Sequence, residues 1–162
     1  MNEFELYLKE GKVKRQTPDF ELAKSLIEDS KSRLEKIKKL DIKEFSKIVF
    51  ENAYDAIRDI LDALMAVDGY KSYSHEASIA YLKKYAFDDS TLKELDDFRY
   101  LRNSSKYYGK DILEENASGI IKFYRKYSEK IVLIANKKLT VQKNGQLSRK
   151  MDKIGKRTEA RQ

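Results

Sequence analysis

The sequence predicts an all-α protein, an antiparallel up-and-down bundle of about five helices. Two observations predict this class. The 162 residues include only one Pro and six Gly, fewer turn-forming residues than an all-β fold needs. Apolar residues recur at alternating spacings of three and four, the period of one face of an α-helix. Long amphipathic helices joined by short connections pack as bundles, and about 120 residues of bundle enclose a core.

The first long helix is predicted to begin at Thr17-Pro18 and to end near Leu40. Thr is a favoured N-cap residue, and Pro is favoured at the first helical position. Residues 1–16 are predicted to form a short arm or helix before the bundle. The buried stripe of the long helix is predicted to be Phe20, Ala23, Ile27, Leu34 and Ile37, with Ser30 in its one gap.

The second helix is predicted to run from about Ile42 to Val67 and to end at Gly69, a typical residue just beyond a helix. Its apolar residues cover more than one face, so this helix is predicted to be central. Its polar residues occupy one narrow face and have two interpretations. They form either a solvated stripe or the lining of a dimer cleft that pairs with Arg99 or Arg102. This polar face consists of Asp55, Arg58, Asp59 and Asp62.

Three more helices are predicted in the second half of the chain. The third runs from near Ser74 through Tyr85. The fourth begins at Ser90 or the next residue and stops near Tyr108, and the fifth begins after Asp111. The predicted bundle therefore spans residues 17–139. The stripe of the fifth helix is predicted to be Leu113, Ala117, Ile120, Tyr124, Tyr127, Ile131 and Ile134.

Composition excludes several functional classes. The absence of Cys excludes a disulfide framework, a thiol nucleophile and a Cys-type zinc site. A single His, His75, cannot build a multi-His metal site, so no metal and no cofactor are expected. No apolar run is long enough for a membrane span. The acidic, amphipathic first ten residues do not resemble a secretory signal, so a cytoplasmic protein is expected.

The net charge of +7 is concentrated at the C-terminal end. Residues 140–162 contain seven basic and two acidic side chains and therefore carry +5. This segment lacks a sustained apolar period and is predicted to be a flexible basic tail. Such a tail either gathers RNA or an acidic protein by its charge or serves only to keep the chain soluble.

The strongest functional signal lies between residues 99 and 110. Arg99, Arg102 and Lys106 are spaced so that their charges share one helix face. An Arg side chain is a planar fork that suits phosphate, and neighbouring tyrosines can stack on a base. The alternative is a solvated basic face opposite the acidic residues of the second helix. The candidate phosphate- or RNA-binding residues are Arg99, Arg102, Lys106 and Lys110.

At this point the chain resembles the HEPN (higher eukaryotes and prokaryotes nucleotide-binding) domain family, in the form of a stand-alone archaeal or bacterial protein. Three pieces within residues 17–135 carry the resemblance. They are the opening Thr17-Pro18-Asp19-Phe20-Glu21-Leu22-Ala23, the stretch Gly69-Tyr70-Lys71-Ser72-Tyr73-Ser74-His75-Glu76, and Leu101-Arg102-Asn103 followed by Tyr107-Tyr108-Gly109.

The resemblance implies a bundle that forms a homodimer. It also implies a motif in which an Arg is followed, after four to six residues, by a His. Two such motifs meet at the dimer cleft of active members and cleave RNA without a metal. Many members work as toxins beside a minimal nucleotidyltransferase antitoxin. Carried over to this chain, the resemblance makes Arg102 the motif Arg and Asn103 the polar residue that follows it.

This sequence departs from the motif, because Tyr107, Tyr108 and Gly109 stand where the His would fall. Tyr titrates near 10 and is a poor base at neutral pH, but it can donate hydrogen bonds, stack or accept a nucleotidyl group. The candidate catalytic set is therefore Arg102, Asn103, Tyr107 and Tyr108. On an ideal helix Arg102 and Tyr107 lie about 140° apart, so they converge only if the helix ends between them or two subunits contribute.

His75 is the alternative base, or else a structural residue that bonds near the Gly69 turn.

The sequence is compatible with three functions. The first is an RNA-directed toxin-type protein, a metal-independent endoribonuclease or a degenerate relative of one. The second is a non-catalytic dimer that binds a nucleotide or a nucleotidyltransferase partner. The third is a purely structural bundle, which does not explain the cluster at 99–110.

Overall fold

A computed structural model describes the backbone of residues 3–159 and the side chains of residues 3–141. The all-α prediction is confirmed, because α-helices dominate and the described sheet has two three-residue strands. The helices are α1 (Glu3–Lys9), α2 (Phe20–Ile37), α3 (Ser46–Val67), α4 (His75–Tyr81), α5 (Asp89–Tyr108) and α6 (Glu114–Glu159), with a 3-10 turn at Leu82–Tyr85; the strands are β1 (Val13–Arg15) and β2 (Tyr70–Ser72).

The predicted stripe of α2 is buried except at Phe20, which is half-buried, and the helix is capped by a different residue than predicted. Asp19, not Thr17, is the N-cap, and its Oδ1 accepts a hydrogen bond from the Leu22 amide at 2.9 Å. Asp satisfies the free amides of a helix start at least as well as Thr. Ser30 fills the gap in the stripe because its hydroxyl donates to the Ala56 carbonyl of α3 at 2.7 Å and also meets the Tyr124 hydroxyl of α6 at 2.9 Å.

The central position predicted for α3 is confirmed, since most of its residues are buried and it packs against α2 and α6. The helix begins at Ser46 rather than near Ile42. Asp41 Oδ1 accepts hydrogen bonds from the Lys43 and Glu44 amides at 2.9 and 3.0 Å, and this local turn replaces the first predicted helical turn.

Contacts between residues give the direction of α2 relative to α3 and of α5 relative to α6. Arg33 of α2 contacts Asn52 of α3, and Asp19 at the start of α2 bonds to Ala66 near the end of α3. These two helices are therefore antiparallel. Thr91 of α5 bonds to Tyr127 of α6, so α5 starts beside a later part of α6.

The N-terminal arm docks on the bundle through a sheet that the sequence did not predict. β1 pairs antiparallel with β2, and Lys14 lies directly opposite Lys71. Phe4 of α1 is buried against the rings of Tyr70 and Tyr81. The strand β2 starts directly after Gly69, which has a positive φ of 76°. A side chain there would place its Cβ only 2.7 Å from the carbonyl oxygen of residue 16, so the position accepts only glycine.

The second half of the chain departs from the predicted helices at their ends. Ser74 caps α4 as predicted, but α4 tightens into the 3-10 turn at Leu82–Tyr85. α5 is capped by Asp88, whose carboxylate accepts from the Thr91 amide at 2.7 Å, and therefore starts one residue before Ser90. It ends at Tyr108, and Gly109 adopts the left-handed conformation typical of a helix end.

The last helix is longer than predicted. The backbone of α6 is helical through the segment predicted to be a flexible tail, as far as Glu159. The side chains of residues 142–162, which include all seven basic ones, lie outside the described part of the chain. At the other end, Leu113 precedes the helix and is 56% exposed, and Ile112 is buried in its place. The predicted boundary at residue 139 therefore falls inside one continuous helix.

A charged hub joins the end of α3 to α6. The carboxylate of Asp68, which is 7% exposed, accepts hydrogen bonds from the Tyr81 and Tyr85 hydroxyls and from Lys138 of α6. Lys84 Nζ adds a contact at 3.0 Å. Burial alone raises the pKa of Asp68, but these hydrogen bonds outweigh it and bring the pKa below its usual value.

Within residues 3–159, none of the helices combines the length and the apolar character that crossing a lipid bilayer requires.

Candidate functional site

Arg102 lies on α5 with its guanidinium facing α3. The guanidinium carbon is 5.8 Å from the centre of the Tyr54 ring, and Nη2 is 3.7 Å from Asp55 Oδ1. The latter is an ion pair too long for a hydrogen bond. Within the described side chains, the Arg102 guanidinium makes no hydrogen bond. Arg has five N–H donors, so Arg102 keeps donors for an anion.

Tyr54 connects Arg102 to the only histidine. The Tyr54 hydroxyl and His75 Nδ1 are 2.8 Å apart, and the two rings are nearly parallel with centres 5.6 Å apart. Tyr54 is buried, and burial raises its pKa above the usual value, so the phenol keeps its proton at neutral pH. His75 therefore bonds to α3 and not to the turn at Gly69. Its Nε2 makes no hydrogen bond within residues 3–141.

The surroundings of His75 are strongly cationic. Burial and then the positive charges of four side chains lower the pKa of His75 from 6.5 to about 4. The imidazole is therefore neutral at pH 7, the form that can accept a proton. The same charges would attract an anion to this position. The four side chains are Arg58 of α3 and Arg99, Arg102 and Lys106 of α5.

The arginines around His75 differ in how far their donors are occupied. Arg99 is bound to Asp96 at 2.6 Å and to Glu76 at 3.1 Å, so its main role is to join α5 to α4. Arg58 Nε donates to Asp62 at 3.0 Å, but its buried Nη1 has no hydrogen-bond partner in the described part of the chain.

The other residues of the predicted site lie at its margin. Lys106 and Lys110 are exposed, and neither forms an ion pair among the described side chains. The side chain of Asn103 is half-buried and makes no hydrogen bond to a described residue. Lys106 still lies close enough to lower the pKa of His75, whereas nothing links Lys110 to it.

Tyr107 and Tyr108 are not brought to Arg102 within one chain. α5 continues to Tyr108, so the helix does not end between Arg102 and these tyrosines. Tyr107 is 67% exposed and Tyr108 is 86% exposed. The condition that the helix ends between Arg102 and the tyrosines is therefore not met. The remaining condition is that a second subunit brings a tyrosine to Arg102.

The polar residues of α3 contact three neighbouring helices, so this face is not a solvated stripe. Asp55 faces Arg102, as the cleft interpretation predicted for one of its pairs. Asp62 binds Arg58 and lies 3.4 Å from the Ser78 hydroxyl of α4. Asp59 lies 3.5 Å from Arg33 of α2, and burial raises its pKa to about 6.

Taken together, these residues can hold an oxyanion beside a neutral imidazole. The sequence pointed to Arg102 through the spacing of α5 and to Arg58 as part of a polar face that pairs with Arg99 or Arg102 in one interpretation, but it did not indicate that Tyr54 of α3 would join them. In the described part of the chain, His, Asp and Glu side chains form no group of three or more that could bind a metal ion.

No protein-family model matches the chain, and no curated protein matches it. The resemblance to HEPN domains stays a prediction.

Proposed function

We propose that this chain is a HEPN-type, RNA-directed protein that binds a phosphodiester at Arg102 and cleaves it without a metal. One observation carries the proposal. Arg102 keeps free donors and lies on the ring of Tyr54, whose hydroxyl bonds to His75. A phosphate-binding fork and a neutral imidazole are two groups by which a protein can promote RNA cleavage without a metal.

In the proposed reaction, Arg102 binds the non-bridging oxygens of the phosphate. His75 Nε2 accepts the proton of the adjacent ribose 2′-hydroxyl, and the 2′-oxygen attacks phosphorus. The bond from phosphorus to the 5′-oxygen breaks, and that oxygen takes the proton from the imidazolium, directly or through a water molecule, which returns His75 to its neutral form. The products are a 2′,3′-cyclic phosphate and a 5′-hydroxyl end, and the net change moves one proton between the two oxygens.

The bound phosphate also supports the chemistry at His75. Its negative charge would offset the cations that lower the pKa of His75. The imidazole would then become a stronger base when substrate is present. For His75 to act through Nε2, its Nδ1–H donates to the Tyr54 oxygen, the tautomer that the 2.8 Å contact permits.

The proposal includes a homodimer and a nucleotidyltransferase partner, as the resemblance implies. Tyr100, Tyr107 and Tyr108 expose their rings along α5, on the element that carries Arg102. Aromatic side chains of this kind are enriched in interfaces. A second copy docked there would bring tyrosines toward Arg102 and provide hydroxyls for hydrogen bonding to phosphate or for nucleotidyl modification.

A non-catalytic module that binds a nucleotide or a partner is the second candidate function. The exposure of Tyr107 and Tyr108 and the lack of a His after Arg102 favour it. This candidate uses the same cationic cluster to hold phosphate, but it predicts that bound RNA stays intact.

RNA cleavage in EDTA separates the two candidates. We expect the wild-type chain to cut a mixture of tRNA and unstructured RNA and to leave 2′,3′-cyclic phosphate ends. His75→Gln should cut at least about 100-fold more slowly, because it removes the proton acceptor. RNA that is bound but intact with the wild-type chain would favour the non-catalytic module, and equal cutting by His75→Gln would exclude His75 as the base.

A further inference from the structure

The outer face of the β1–β2 sheet carries basic side chains that form no ion pair with a described acidic side chain. Lys14 and Lys71 lie directly opposite each other across the two strands. Like charges in this position destabilise a sheet. Neither lysine, nor the neighbouring Arg15, forms an ion pair with a described side chain.

An exposed tyrosine stands between the two lysines. Tyr73 is 57% exposed, and the ammonium groups of Lys14 and Lys71 lie 5.4 and 5.6 Å from the centre of its ring. Side chains alternate between the two faces along a strand, so residues 71 and 73 lie on the same face. An aromatic ring flanked by cations is the arrangement by which proteins stack a nucleic-acid base beside its phosphates.

This face lies next to the candidate site. Tyr73 precedes His75 by two residues, so their Cα atoms are at most about 7 Å apart. Beside β1, a groove of about 560 Å³ is lined by Lys9, Lys14 and Arg15, together with Glu5 and apolar residues. A strand whose phosphate lies at Arg102 could therefore continue over Tyr73.

We propose that the outer face of the β1–β2 sheet binds single-stranded RNA next to the phosphate held at Arg102, with one base stacked on Tyr73 and phosphates on Lys14 and Lys71. The inference rests on RNA as the ligand of the proposed function. Single-stranded RNA is favoured over a duplex because a base must leave its pair to stack on a side chain.

The test is binding of a fluorescein-labelled 12-nucleotide 2′-O-methyl oligouridylate, which cannot be cut, measured by anisotropy at several salt concentrations. Tyr73→Ala should weaken binding about tenfold, and Tyr73→Phe should bind like the wild type, because the ring and not the hydroxyl stacks. The double variant Lys14→Gln, Lys71→Gln should reduce the slope of log affinity against log salt by about 1.4.

The matched control is Lys122→Gln, Lys137→Gln, which removes two exposed lysines from α6. The proposal is overturned if this control lowers the salt slope as much as the sheet variant, or if Tyr73→Ala binds like Tyr73→Phe. Its failure is distinct from that of the proposed function. Weaker binding by the sheet variants without any cleavage by the wild type would support the RNA surface and reject the nuclease. Cleavage that needs Arg102 and His75, with unchanged binding by the sheet variants, would do the reverse.

Discussion

Arg102→Ala is expected to lower the rate of RNA cleavage in EDTA by roughly 100-fold or more while the protein stays folded. Removing one donor that stabilises the charge developing in a transition state has effects of about 10² to 10³ on rate. Folding should be only moderately affected. The side chain of Arg102 is 16% exposed and packs on Tyr54, so some packing is lost, but its one described ion pair is 3.7 Å long and the partner Asp55 is 40% exposed. Pairs of this kind contribute about 0 to 1 kcal/mol to stability.

Two control variants make this result specific. Arg125→Ala removes an exposed arginine from α6 and should cleave like the wild type. Arg102→Lys keeps the charge but loses the planar fork, so its rate should lie between those of the wild type and Arg102→Ala. Cleavage by Arg102→Ala at the wild-type rate, with an unchanged melting temperature, would show that Arg102 does not bind the scissile phosphate.

Among the single substitutions that remove a charge, we expect Asp68→Asn to lower the stability of the protein most. The variant keeps the shape of the side chain but removes the negative charge that Lys138 and Lys84 share with two tyrosine hydroxyls. Breaking such a hub should lower the free energy of unfolding by about 2 to 3 kcal/mol, less than for a fully buried pair because both lysines are partly exposed. For a chain of this size, the melting temperature should fall by about 5 to 10 °C.

The effect of Asp68→Asn should also depend on pH in a defined direction. The folded pKa of Asp68 lies below its unfolded value, so the carboxylate adds stability above the unfolded pKa. That stability is lost as the pH falls through the folded pKa. Thermal unfolding should therefore separate wild type and variant at pH 7, and the gap should close below about pH 4. Asp97→Asn, at a 65% exposed carboxylate paired with Lys93, should change little, and an equal loss in both variants would contradict the hub.

Patterns that repeat along the chain could be predicted from the sequence. The 3,4 spacing of α2 located its buried stripe, and Gly109 located the end of α5, because each depends on residues close in sequence. The sequence did not show which of several polar residues would cap each helix. Asp19 and Asp88 replaced Thr17 and Ser90 as helix starts, since several residues near a boundary can satisfy the same amides.

Contacts between distant residues account for what the sequence did not predict. The β1–β2 pair joins three-residue strands far apart in the chain, too short for a recognisable alternation. His75 meets Tyr54 across 21 residues, and Asp68 meets Lys138 across 70. Residue type and spacing indicated a basic face on α5, but only packing determines which of its arginines keep free donors.

The nuclear magnetic resonance titration of His75 tests most directly that Arg102 and His75 belong to one phosphate site. The chain has a single His, so its ring gives one assigned signal without ambiguity. Free protein should show a pKa of about 4. Saturating 2′-O-methyl oligouridylate should raise it by about one unit or more. Arg102→Ala should raise the pKa of the free protein and abolish the response to the oligonucleotide. An ordinary pKa near 6.5 that neither the oligonucleotide nor Arg102→Ala changes would contradict the shared site.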